Sequence, residues 1–279
     1  MVSNFHLPPT GYGPGSQPPE EDGAELQYLQ MPQDMRSYSH HIPEVEASPE
    51  LAPALGMLAE ISAACLSVAQ GMPNVQFDLR ELDTANRALI AETMGQGEVS
   101  IRMQGVPAVA AQESVFAGVW VLSSADMDAI EVGPVPQLSR DRAFVAKRAG
   151  QGHDAPKNAQ VVNAPPLLVE MLDKSANFDP SAEAHVINLT LLPHTEADLV
   201  WLDEALGEGS VTMLSRGYGN CRVTATALDH VWRVQFFNSM DTLILDTFEI
   251  TTLPAVVEAA SEDLQDSGER LVEVLEAIR

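Results

Sequence analysis

One stretch of this 279-residue chain sets chemistry-bearing side chains close together. Ser215-Arg216-Gly217-Tyr218-Gly219-Asn220-Cys221-Arg222 places a thiol between a glycine turn and two arginines. A guanidinium held near a sulfur lowers the thiol pKa, and the resulting thiolate serves as nucleophile or ligand at neutral pH. The same residues also read as a strand that opens at Cys221, with Val223, Ala225 and Ala227 alternating on the side that faces a core. Both readings stand at this level.

The other candidates are weaker. Cys65 and Cys221 are the only thiols and lie in unrelated contexts, so one chain cannot build a zinc ribbon or a four-cysteine cluster site. A disulfide between them is admitted, while two free thiols in a reducing compartment is the plainer reading. Cys65 falls on the apolar stripe of a helix, where cysteines behave as small hydrophobes. His40-His41 offers two adjacent imidazoles without a nearby thiolate, a poor ligand spacing. His194 stands just before a helix start with no nucleophile next to it in sequence. Gly207-Glu208-Gly209 lacks the spacing and the lysine of a phosphate loop, and Ser215 lacks the first glycine of a nucleophile elbow. Asp203-Glu204 are helix neighbours whose carboxylates diverge. The expectation is a protein that is not an enzyme and carries no cofactor and no metal.

These residues must be positioned by a duplicated unit. A gap-free shift of 112 residues aligns Leu79 with Leu191, Ala85 with Ala197, Glu92 with Glu204, Gly95 with Gly207, Gly97 with Gly209, Val99 with Val211, Gly105 with Gly217, Val119 with Val231 and Trp120 with Trp232. In the second copy, Leu189 to Leu192 reads as a short strand. Thr195 with Asp198 reads as a helix N-cap, Leu199, Leu202 and Leu206 share a face, and Gly207 ends the helix. Strand patterns follow at 210–216, 221–228, 231–238 and 243–250. The first copy supplies a helix over 83–94 and strands over 97–103, 113–122 and 130–132. The predicted fold class is α+β: two repeated lobes, each an antiparallel sheet packed with helices.

Helices are also predicted at Leu51 to Gln70, Pro165 to Lys174 and Pro254 to Ile278, the last with Val257, Ala260, Leu264, Leu271, Leu275 and Ile278 on one stripe. The expected division is a flexible acidic Pro/Gly-rich tail over 1–48, a first repeat over 49–138, a basic linker over 139–163, and a second repeat with its C-terminal helix over 164–279. The linker reads as flexible from Gly150-Gln151-Gly152, and its Arg140, Arg142, Lys147, Arg148 and Lys157 invite clamping by acidic lobes.

Forty acidic against fifteen basic side chains give a net charge of −25, which repels phosphate backbones and anionic lipid. Nucleic acid and membrane are therefore poor partners, and a protein or cationic partner is favoured. The opening residues lack the basic and apolar regions of an export signal, and Pro53, Gly56 and Glu60 interrupt the richest apolar run, so the expected location is the cytoplasm.

The run Trp201 to Gly209, then Ser215 to Arg222, Val231 to Asn238 and Met240 to Glu249, resembles the HupH/HyaF/HoxQ family of hydrogenase expression/formation proteins. The likeness covers about residues 185–279 strongly and 50–136 more loosely, through Gly95 to Ser100 and Phe116 to Trp120. It implies an accessory chaperone of NiFe hydrogenase maturation that binds the precursor of the iron–sulfur small subunit before assembly and twin-arginine export, beside a thioredoxin-like accessory protein. It maps a partner-binding role onto Arg216, Gly217, Tyr218, Gly219, Asn220, Cys221, Arg222, Phe236, Phe237, Asn238, Met240 and Asp241. Val109 holds the Cys221 register in the first copy, so no role can require one thiol per repeat. The alternative is an iron–sulfur cluster or metal carrier that uses Cys221 across a dimer.

Overall fold

The computed structural model describes residues 48–216 and 220–278. The first half runs α1 (Ala52–Ala69), β1 (Val75–Asp78), α2 (Thr84–Met94), β2 (Val99–Met103), β3 (Val109–Glu113), β4 (Val119–Ser123) and β5 (Asp128–Val132). A short α3 (Gln137–Arg142) leads into the second half. This comprises α4 (Ala164–Ala176), β6 (His185–Asn188), α5 (Glu196–Leu206), β7 (Val211–Ser215), β8 (Asn220–Ala225), β9 (Val231–Phe237) and β10 (Leu243–Ile250), followed by α6 (Ser261–Ile278).

All ten strands form one antiparallel sheet in the order β1-β5-β4-β3-β2-β7-β8-β9-β10-β6. Each half contributes five strands in the same internal order, but the halves do not form separate sheets: β2 and β7 pair at the centre. Ile101 lies opposite Met213, Val99 opposite Ser215 and Met103 opposite Val211. The 112-residue shift carries each of these residues onto its partner's counterpart, so the register is symmetric about the Ile101–Met213 pair. Trp120 pairs with Glu113 and Trp232 with Ala225, again equivalent positions.

Local signals explain the helix starts. Asp83 accepts from the Asn86 amide at 2.8 Å to cap α2, and Thr195 and Asp198 form a reciprocal capping box on α5. Gly95 and Gly207 end these helices at φ 56° and 70°, a backbone that strains any side chain with a Cβ. The α1 segment is long and apolar enough to cross a membrane by length and composition, contrary to the sequence reading. Here it is a core helix: Leu58, Ile61 and Cys65 are fully buried, and the Ser62 hydroxyl donates to Gly268 O on α6 at 2.8 Å.

Several expectations need correction. Leu189–Leu191 is a 3-10 turn and the edge strand precedes it at His185–Asn188, because the turn must swing the chain into the α5 cap. Residues 113–122 are two strands joined by a turn that Gly118 closes at φ 77°. The C-terminal helix follows the second half in sequence but packs on the first: Leu264, Leu271, Val274 and Leu275 share a core with α1 and α2. The 139–163 segment, read as flexible, is woven into the fold. Lys147 and Arg148 donate backbone N–H groups to Glu208 O, their side chains pair with Glu208 and Asp203, and Ser210 N donates to Ala143 O. Of its basic residues, Arg140, Lys147 and Arg148 pair with Glu258, Glu208 and Asp203, while Arg142 donates to Pro107 O and Lys157 lies over the Trp201 ring. The 1–47 stretch lies outside the described residues.

Two apolar layers sandwich the sheet. On one face α1, α2 and α6 cover Val119, Ile130 and Val132, and α4 and α5 cover Val231, Phe248 and Ile250. On the other, Ile101, Trp120, Met213, Val223 and Trp232 form a central core closed by Ala143, Leu253 and Val257.

Candidate functional site

The β8 strand alternates as the bland reading of its sequence requires. Cys221, Val223 and Ala225 are buried in the central core, whereas Asn220 and Arg222 are exposed on the opposite face. Cys221 is 3% exposed, and burial, with the Glu249 carboxylate, pushes its thiol up to about 11. Neighbouring residues of a strand point to opposite faces, so Arg222 does not sit beside the sulfur and the thiolate-lowering reading fails. Cys65 is likewise buried and is pushed up to about 12; both thiols are free.

Pairing of β8 with β9 gathers most of the candidate residues. Asn220 lies opposite Phe237, Cys221 opposite Phe236 and Arg222 opposite Gln235. The Arg222 guanidinium stands 5.6 Å from the Phe237 ring centroid. Beyond Phe237 the chain turns through Asn238, whose Oδ1 accepts from Met240 N at 2.9 Å and Thr242 N at 3.0 Å. This turn places Asp241 at φ 56°, where its Oδ1 accepts from Asn220 Nδ2 at 3.2 Å. Arg216, Asn220, Cys221, Arg222, Phe237 and Asp241 thereby line one open cavity of about 390 Å³. Phe236 packs against the central core, and Met240 stands 83% exposed at the hairpin tip. Gly217, Tyr218 and Gly219 lie outside the described residues.

Sequence reasoning missed the apolar surface beside this hairpin. Leu243 and Ile244 are 43% and 55% exposed, and Leu191 is 79% exposed. Asp246 N donates to Thr190 Oγ1 at 2.9 Å, which fixes the 189–191 turn against β10 and brings these side chains near one another. The signal was present: Leu243-Ile244-Leu245 breaks alternation, and the β9–β10 register shifts there through a bulge that re-aims Ile244. Below it, Arg233 grips Asp246 through two bonds of 3.0 and 2.6 Å, a bidentate pair that anchors the hairpin base. The remaining candidates resolve as structure. His194 Nδ1 contacts Leu192 O, and Asp203 pairs with Arg148. His40 and His41 lie outside the described residues.

Comparison with known proteins agrees with the resemblance. The family model described as "HupH hydrogenase expression protein, C-terminal conserved region" matches residues 51–143 and 161–278. The chain is 61% identical over its whole length to Hydrogenase expression/formation protein HupH of Rhodobacter capsulatus, all of which is covered. It is 44% identical to Hydrogenase expression/formation protein HoxQ of Cupriavidus necator over 98% of each chain, and 30% identical to Hydrogenase-1 operon protein HyaF of Escherichia coli over 97% of this chain and 95% of that one. A solved structure of hydrogenase expression protein HupH from Thiobacillus denitrificans matches 41% of this chain and 96% of its own at 29% identity, with a TM-score of 0.39. This chain belongs to the HupH family of hydrogenase expression proteins.

Proposed function

We propose that this protein acts in hydrogenase maturation as a non-catalytic accessory chaperone. It holds the iron–sulfur small subunit precursor of a NiFe hydrogenase in the cytoplasm, before assembly and export, and works beside a thioredoxin-like companion. The observation that carries the reading is family membership: relatives that match over nearly their full length bear the names of hydrogenase expression or formation proteins. The surface supports it. The β9–β10 hairpin offers Met240, Leu243 and Ile244 to a partner, with Phe237, Asn220 and Arg222 beside its turn end. Exposed apolar anchors ringed by polar groups suit protein binding. The chain's net charge of −25 favours a basic leader as one contact, mainly through encounter rate and partner choice.

The carrier alternative draws on Cys221, and its burial weighs against it. Cys221 is 3% exposed and packs in the central core, so it presents little surface to a ligand site shared with a second chain although it borders the open cavity. The same reading takes residues 49–138 and 164–279 as two copies of one unit, supported by the shared strand order and by the central register.

Pull-down of the small subunit, as precursor and without its leader, across a salt series tests the proposal. Capture that weakens with salt but survives it is expected. Equal capture of both forms at every ionic strength removes the leader contact, and capture of neither defeats the chaperone reading.

A further inference from the structure

Among the described residues, the helices leave the middle of their sheet face uncovered. The two helical groups cover the outer strands, while the same face of β2, β7 and β8 carries Arg102 and Arg222, both exposed. Arg216, one residue past β7, is exposed on the same alternation and donates its backbone N–H to Glu98 O. None of these three arginines has an ion-pair partner among the described residues, in a chain of net charge −25. Arg148, Lys147 and Arg233, by contrast, already hold Asp203, Glu208 and Asp246, the carboxylates that border this trough, and Asp241 is engaged by Asn220. Glu98, whose carbonyl accepts from Arg216 N, adds a nearby carboxylate with no ion pair among the described residues.

We propose that this trough binds an acidic polypeptide segment whose carboxylates alternate along an extended chain. The inference rests on the reading of the protein as one that binds a polypeptide client, and it names a second contact chemistry, opposite in sign to the leader. Register sets the spacing. Arg222 lies opposite Leu214 and Arg216 follows two residues on, a diagonal of about 7–8 Å. Arg102 lies opposite Thr212 on the far side of β7, which puts it ~12 Å from Arg222 for strands ~4.8 Å apart rising ~3.4 Å per residue. An extended peptide presents alternate side chains ~6.8 Å apart on one side, so successive carboxylates match Arg216 and Arg222 and a longer one reaches Arg102. Arg222 lines both the cavity of about 390 Å³ and the next, of about 210 Å³. Arg222 is thus the wall these two depressions share, and Arg102 lies on the strand face outside both. A long polyanion such as nucleic acid meets the repulsion of the whole chain, whereas a short acidic segment meets chiefly the local guanidinium groups within a screening length of ~8 Å.

A fluorescein-labelled, end-blocked octapeptide of alternating glutamate and serine, titrated with the full chain, tests this by anisotropy. Saturable binding that weakens with salt is expected, about tenfold weaker for the Arg102→Gln/Arg222→Gln double variant, abolished by Arg222→Glu, and unchanged by Arg80→Gln. Circular dichroism of these surface variants checks folding. Equal binding of a lysine–serine peptide, full binding by the double variant, or displacement by inorganic pyrophosphate at lower concentration than by unlabelled peptide overturns the proposal. Small-subunit capture is measured in parallel. Capture without peptide binding removes the trough alone, and peptide binding without capture removes the small-subunit reading and leaves the site standing.

Discussion

Asp198 is the side chain on which the second half's helices depend, and its loss can be worked through. It is 0% exposed. Its Oδ1 accepts from Val162, Asn163 and Ala164 N–H at 2.8, 3.0 and 3.0 Å at the start of α4, and its Oδ2 from Thr195 N at 2.9 Å at the start of α5. Burial raises its pKa, but the four backbone donors outweigh burial and hold it at about 2, below the ordinary 3.8. Asp198→Ala removes one capping box, about 1 kcal/mol, and takes the acceptor from three further N–H groups, of which only that of buried Ala164 is shut off from water, so the total cost is ~3 kcal/mol. At 2–4 °C per kcal/mol for a fold of this size, Tm falls by about 10 °C. Asp198→Asn keeps an acceptor for one helix only and should cost ~2 kcal/mol.

The sign of the pH dependence follows from a depressed carboxylate. Its stabilisation is complete above the unfolded pKa near 3.8 and disappears as pH falls through about 2, so the gap between wild type and Asp198→Asn should close over that window. The equivalent residue of the first half is Asn86, whose Oδ1 accepts from Ala54 N at 2.9 Å. Asn86→Ala should therefore destabilise without that acid dependence. Urea unfolding followed by tryptophan fluorescence serves as the assay, since Trp201 sits on α5 with Nε1 donating to Ala155 O. A loss below about 1 kcal/mol for Asp198→Ala at neutral pH, or a gap that stays constant into acid, would refute the reasoning.

Two further outcomes are expected. Native protein at pH 8 should resist iodoacetamide at both thiols, because burial pushes Cys221 and Cys65 up to about 11 and 12, and unfolding should release both; rapid stoichiometric labelling of native Cys221 would restore the reactive-thiol reading. Gly118→Ala should cost ~2 kcal/mol and loosen α6 first, since a Cβ there would lie 2.4 Å from Leu264 Cδ2 at φ 77°; unchanged hydrogen exchange over 261–278 would contradict the placement of α6 on the first half.

What the sequence disclosed were features set by short-range chemistry. Thr195 with Asp198, Gly207 after Leu206, and the alternation of Cys221, Val223 and Ala225 each fix local geometry within a few residues, and α5 and β8 follow them. Long-range choices were hidden. The Pro254 to Ile278 stripe specified an amphipathic helix but not which half would receive it; that depends on the close approach of Gly268 to Leu66 on α1, where a Cβ would meet side-chain atoms at 3.0 Å. The 139–163 segment looked free because its glycines were visible and its partners were not. Gly150 permits close backbone passage, since a Cβ there would lie 2.6 Å from Ala205 O. The exposed Leu191 and Ile244 escaped notice because apolar residues are read as core unless the sheet edge is known.

The two halves differ most where packing demands least. Under the 112-residue shift, core positions keep their character: Trp120 and Trp232 are both fully buried in the central layer, and Val119 and Val231 both face helices. On the bare face, Ala110 of the first half becomes Arg222 of the second, both exposed, so no core requirement forced the exchange. The hairpins diverge likewise. β5 has five residues and β10 eight, which lengthens the second hairpin beyond its sheet neighbour β6 and frees Leu243 and Ile244 from cover. A guanidinium without an ion-pair partner and an uncovered apolar strand end add little to folding stability in water. On the proposed reading, their concentration at one end of the second half marks the surface given to a partner, while the remainder is shaped by the fold that carries it.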